Sequence, residues 1–212
     1  MAPPDTTVRF NPYLRDLALL LAIYAGALTR SEASTLRRDE IGRDPKDRAN
    51  LILTVNPTGE IMKKNGEREW IAPKRNRDVR LVRTEEPSRD PVRALGQWIS
   101  NAGIAEDAYV FRGVMIDGTL TPQLAPRSIQ HIITARREMI DDAGVLENVS
   151  THSIRLAKAT QLAREGKSDE EIAVPMGVQF TKVADLDSSL ADVVARSRGL
   201  RGHKFDREPL TL

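Results

Sequence analysis

The chain has 212 residues, 40% hydrophobic and 29% charged, with a net charge of +2 and no cysteine. That balance is ordinary for a globular protein, and the length allows one large domain or two small ones, each able to bury a core. Disulfide staples and thiolate metal sites are excluded, and the longest apolar run, Leu17 to Ile23, is too short to span a bilayer. The first residues lack a charged segment followed by an apolar stretch and a cleavage site, so the expectation is a cytoplasmic protein without a signal peptide. Basic residues cluster at Arg37-Arg38, Lys63-Lys64, Lys74 to Arg83, Arg136-Arg137 and Arg196 to Arg207. Clustered positive charge permits nucleic-acid binding, although such runs also serve as solvated faces.

In chain order, residues 1–10 read as an N-terminal arm. Asn11-Pro12 supplies a side-chain cap and a proline at the first helical position. The helix it opens runs to about Ala27, with Leu14, Leu17, Leu20, Leu21 and Tyr24 at helical spacing. Ser31 is placed to cap a second helix reaching about Arg38. Leu51 to Val55 is apolar and β-rich, and reads as a strand. Glu60 to Lys64 and Glu67 to Ala72 flank Asn65-Gly66, a strong hairpin signal. The charged run Lys74 to Glu86 reads as a loop, with room for a short strand at Val79 to Val82. Asp90-Pro91 opens a helix that Gly103 stops. Tyr109 to Phe111 is a short apolar piece, and Asp117-Gly118 a turn. Pro126 or Arg127 starts a helix with Ile129, Ile132, Ile133, Arg136 and Ile140 on one face, ending by Gly144. A further helix spans about Ser153 to Arg164. Ser168 and Glu171 form a capping box for the next. Thr181 to Arg196 reads as the last helix, and residues 199–212 as a basic polar tail. Trp70 and Trp98 read as packing anchors.

The order helix, helix, three strands, then helices predicts a mainly α fold with a small antiparallel β-sheet, occupying residues 11–198. His152 and Arg155, at i and i+3, share one helix face. Gly166, Ile172 and Gly177 follow them. Upstream lies Gly26-Ala27-Leu28-Thr29-Arg30-Ser31-Glu32-Ala33. With the intervening hairpin, this pattern resembles the catalytic domain of the tyrosine recombinases, the phage integrase family. The match runs over about residues 11 to 196, without the helical core-binding domain that precedes it in most members. Whether the chain is a fragment or a short protein is left open.

The resemblance implies roles for individual positions. His152 would assist proton transfer and Arg155 would grip the scissile phosphate. Lys63 or Lys64, before the hairpin turn, would be the general acid, and Glu32 matches the family's acidic residue. Three positions depart from the pattern. Thr29 stands where the family has an Arg. It can offer one neutral hydrogen bond, where a guanidinium offers a charged bidentate grip on developing negative charge. Arg30 is one residue away, about 100° around a helix. Val178 replaces a His or Trp that would bond the phosphate. Asp187 replaces the nucleophilic Tyr and brings negative charge instead. The three tyrosines, Tyr13, Tyr24 and Tyr109, all precede His152. Glu32 also reads simply as an acid near a helix start, and the hairpin lysines as phosphate contacts without catalysis.

The expectation is a DNA-binding, recombinase-like protein without strand cleavage. Arg30, Lys63, Lys64, Arg68 and Arg155 would meet double-stranded DNA, with no cofactor and no metal. A recombinase subunit or a second copy is a candidate partner, and a membrane is not. Two alternatives stand beside it. One is an interaction module that kept the fold and lost DNA. The other is an active enzyme whose nucleophile comes from another subunit.

Overall fold

The computed structural model describes residues 10–56, 60–62, 68–70, 76–140 and 149–177. The chain divides into two compact units, Met1–Arg155 and Leu156–Leu212. Among the described residues the fold is mainly helical with a small antiparallel sheet, as the order of sequence signals predicts.

In the first unit, α1 (Pro12–Gly26) begins with Asn11, whose side chain accepts from the Tyr13 N–H at 2.9 Å. Its face of Ala18, Leu19, Ala22 and Ile23 is wholly buried. Helix α2 is short, Arg30–Thr35, and a 3-10 turn at Arg38–Glu40 leads into β1, Ile41–Arg43. Strand β1 had no clear signal in the sequence, because Ile41-Gly42-Arg43 offers too few residues to show alternation. β2 (Leu51–Val55) is the centre of a three-stranded antiparallel sheet, with β1 on one side and β5 (Arg77–Leu81) on the other. The β2–β5 register pairs Leu51 with Leu81 and Val55 with Arg77. The hairpin around Asn65-Gly66 forms a second, two-stranded sheet of β3 (Glu60–Met62) and β4 (Arg68–Trp70), and its turn lies outside the described residues.

Helix α3 (Pro91–Asn101) packs along α1. Asp90 caps it by accepting from the N–H groups of Val92 and Arg93. Trp98 is 1% exposed and donates its indole N–H to the Val110 carbonyl at 2.7 Å. That confirms Trp98 as an anchor, while the Trp70 side chain falls outside the described residues. A loop then presents the Val114–Leu120 bridge around the Gly118 turn. Helix α4 (Pro126–Glu138) packs against α2 and buries Ile129 and Ile133. Helix α5 (Thr151–Arg164) starts in the first unit and continues into the second. In the second unit, α6 (Asp169–Met176) carries the capping box read from Ser168 and Glu171 and ends on Gly177 at φ +65°. The segments expected at Thr181 to Arg196 and 199–212 lie outside the described residues.

A basic and acidic cluster where the first two helices meet a strand

The end of α1 and the start of α2 are fixed by local chemistry. Ala27 takes a left-handed conformation, φ 48°, and its N–H closes the last turn on Ile23 and Tyr24. Gly26 lies so close to β5 that a Cβ there would meet Val79 at 2.9 Å. The chain reverses through buried Leu28 and reaches Thr29 in extended backbone. Thr29, and not Ser31 as its type suggested, is the cap of α2. Its hydroxyl accepts from the Glu32 N–H at 3.2 Å, and the Glu32 carboxylate accepts from the Thr29 N–H at 2.7 Å. This reciprocal box satisfies two of the backbone donors a helix start leaves open. Thr29 therefore has a structural use that an arginine could not fill.

The remaining capacity of Glu32 meets a residue that the sequence reading placed in a loop. Arg77, at the start of β5, donates through Nε to Glu32 Oε1 at 3.3 Å and through Nη2 to Oε2 at 3.0 Å. Nη1 donates to the Gly26 carbonyl at 3.4 Å. The fork is thus held between a carboxylate and the C-terminal end of α1, where the helix dipole favours a cation. Both side chains are 11% exposed. Burial is the largest influence on Glu32 and pushes its carboxyl up. The charge and hydrogen bond of Arg77, the Thr29 N–H and the charge of Arg155 together outweigh it, and the group is held below the usual carboxylate range.

Arg155, on α5, lies within electrostatic reach of this pair. The helix start is tied by Ser150, whose hydroxyl accepts from the Ser153 N–H at 3.3 Å. One turn in, Arg155 is half-buried, while His152 is exposed. Burial lowers the guanidinium's pKa most, the Glu32 carboxylate raises it, and the Arg77 guanidinium lowers it. Arginine stays charged throughout the working pH range. Glu32, Arg77 and Arg155 therefore form one electrostatic cluster, with His152 a turn away on the helix that carries Arg155.

The other expected site residues are distributed differently. Arg30 is the first residue of α2 and exposed, and it is Arg77, not Arg30, that pairs with Glu32. Arg68 belongs to β4, with its side chain outside the described residues. Lys63, Lys64, Val178 and Asp187 also lie outside them. Among the described residues no group of three or more His, Asp or Glu side chains is arranged to hold a metal ion. None of their helices is long and apolar enough to cross a membrane.

Several of the basic clusters turn out to be tied up. Arg80 pairs with Asp44, Arg83 with Asp90 and Arg137 with Glu138. Arg37 pairs with Asp39, stacks over Tyr109 and donates to the Asp107 carbonyl. Arg136 donates to Asp16 at 2.9 Å, and Asp16 also holds Arg15 at 2.6 Å. The net charge of +2 is thus organised as pairs over much of the described surface.

No protein-family model matches the chain. No curated protein matches it. Solved structures do resemble it. The XerA recombinase superposes with a TM-score of 0.49 at 19% identity, over 92% of this chain and 67% of that one. The integrase of transposon Tn1549 bound to a circular-intermediate DNA gives 0.48 at 14% identity, over 85% of this chain and 52% of that one. The same integrase bound to transposon right-end DNA gives 0.49 at 14%, over 88% and 54%. The chain spans about two thirds of the recombinase and about half of each integrase structure.

Proposed function

We propose that this chain is a tyrosine-recombinase-like module that binds the DNA backbone and does not cleave it. The observation that supports the reading is the Glu32–Arg77 pair with Arg155 within its electrostatic reach, and His152 one turn before Arg155 on α5. It draws one residue from each of the two sequence segments that carry the family resemblance, Glu32 and Arg155. Glu32 organises the helix start through Thr29, and Arg155 brings positive charge from α5. A guanidinium in a half-buried setting suits a phosphate oxygen better than an exposed lysine does, because its rigid fork matches two oxygens at once. Cleavage by this family's chemistry needs a phenol to attack the phosphodiester, expelling one strand's hydroxyl, and form a covalent link that a strand hydroxyl later breaks. Asp187 stands at that position, and no tyrosine follows Arg155.

The pairing of Arg80, Arg83, Arg136 and Arg137 narrows where DNA would be held. Those arginines already spend their charge on neighbouring carboxylates. The reading therefore assigns the backbone contact to the Arg155 side of the first unit and to the hairpin lysines Lys63 and Lys64.

A labelled suicide duplex, in which a cut strand cannot be resealed, tests both halves. The expected result is a native complex that disappears on denaturation, leaving no labelled protein. Label that stays with the denatured protein would establish a covalent step and overturn the non-cleaving reading. A duplex that fails to bind at low salt would overturn the DNA-binding reading.

A further inference from the structure

Helix α5 opens on Ser150-Thr151, and the two hydroxyls meet different surroundings. The Ser150 hydroxyl accepts from the Ser153 N–H at 3.3 Å and pairs with the Ser153 hydroxyl at 3.1 Å. The Ser150 carbonyl accepts from the Ile154 N–H at 3.0 Å, and the Val149 carbonyl from Gln130 Nε2 at 3.3 Å. The oxygens that border the helix start thus already have donors. Thr151, the first residue of the helix, is 4% exposed, and its hydroxyl has no hydrogen-bond partner among the described residues. Side chains of a helix tilt toward its N-terminus, so this hydroxyl lies at the end where the first N–H groups lack intrahelical carbonyls. Buried hydroxyls are nearly always partnered, because an unpaired one costs stability. No acidic residue stands in the first turn to answer the dipole of this 14-residue helix.

We infer that the start of α5 binds one small monovalent anion of the chloride class, held by the hydroxyl and the N–H of Thr151. The helix dipole favours negative charge at this end, and backbone N–H groups there point at such a ligand. A water molecule needs acceptors as well as donors to make its usual bonds. Here the neighbouring carbonyls and serine hydroxyls are engaged, and what Thr151 offers is donors. Enclosure sets the size. A residue this buried admits an ion close to water in size and excludes a phosphodiester with its strand. The site is therefore separate from the proposed DNA contact and stands whether or not the chain binds DNA.

Thermal unfolding of the full chain in sodium chloride and in sodium methanesulfonate, at equal ionic strength, provides the test. Wild type is compared with Thr151→Val, which keeps the shape of the side chain and removes its donor. The wild-type midpoint should rise with chloride along a saturating curve above the methanesulfonate baseline, as for any ligand bound only by the folded state. Thr151→Val should show no such rise, and Thr151→Ser, which keeps the hydroxyl, should retain it. Equal wild-type midpoints in the two salts, or a chloride response that survives in Thr151→Val, would overturn the site. A Thr151→Val chain more stable than wild type in both salts would also overturn it, by showing a hydroxyl that is simply unpaired. Wild-type crystals soaked in bromide give a reading that needs no variant to fold. An anomalous peak within hydrogen-bond distance of Thr151 Oγ1 is expected, and its absence would overturn the site.

Discussion

Glu32 answers to three demands: it closes the capping box on Thr29, it holds Arg77, and it balances the charge of Arg155. Its pKa is lowered in the folded chain, so it contributes stability above its ordinary value of 4.5 and loses that contribution as the pH falls through the lowered folded value. Glu32→Gln is expected to cost about 2 kcal/mol at neutral pH, the range for hydrogen bonds to charged groups. The gap between the two proteins should close as the pH drops below 4.5, which chemical denaturation across pH measures directly. A gap that stays constant would show that the Arg77 pair adds nothing to the fold. Thr29→Ala should cost about 1 kcal/mol by removing the cap hydroxyl, and Thr29→Ser should restore most of it. Glu32 was legible in the sequence, both as an acid near a helix start and as a family position. Arg77 was not, because it lies in the charged run from Lys74 to Glu86. The overlooked signal is alternation. Arg77, Val79 and Leu81 share one face of β5, so the arginine sits where the two apolar residues point inward.

At the scale of elements, the helices are legible in the sequence because their starts carry chemistry. Asn11-Pro12, Asp90-Pro91 and the Ser168–Glu171 box each open a helix where expected. Strand β2 was found from five apolar and β-branched residues, whereas β1 and β5 were short, or too charged to stand out. Two contacts between elements set expectations for stability. Asp16 of α1 joins Arg15 to Arg136 of α4, with Arg15 and Asp16 buried and Arg136 partly so. Asp16→Ala would leave two guanidiniums without that carboxylate and is expected to destabilise the chain by about 3–5 kcal/mol. A loss under 1 kcal/mol in a denaturant titration would mean that water replaces the carboxylate. Trp98→Phe should cost about 1–3 kcal/mol, because the Val110 carbonyl loses its donor in a buried place.

At the scale of the whole molecule, charge among the described residues is organised largely as pairs. Much of the described positive charge is spent on neighbouring carboxylates, as at Arg77, Arg80, Arg83 and Arg136. The sequence showed the number of basic residues and their clustering, but pairing depends on contacts far apart in the chain, such as Arg77 with Glu32 and Arg136 with Asp16. The proposed function therefore predicts a small number of phosphate contacts. The most direct measurement is duplex affinity over a range of salt for the full chain. Log affinity should fall linearly with log salt, by about 0.9 for each phosphate neutralised. Arg155→Met should flatten that slope by about one unit, and Lys63→Ala with Lys64→Ala by about one to two. Affinity that ignores salt, or a slope unmoved by all of these substitutions, would contradict binding through this cluster and the hairpin.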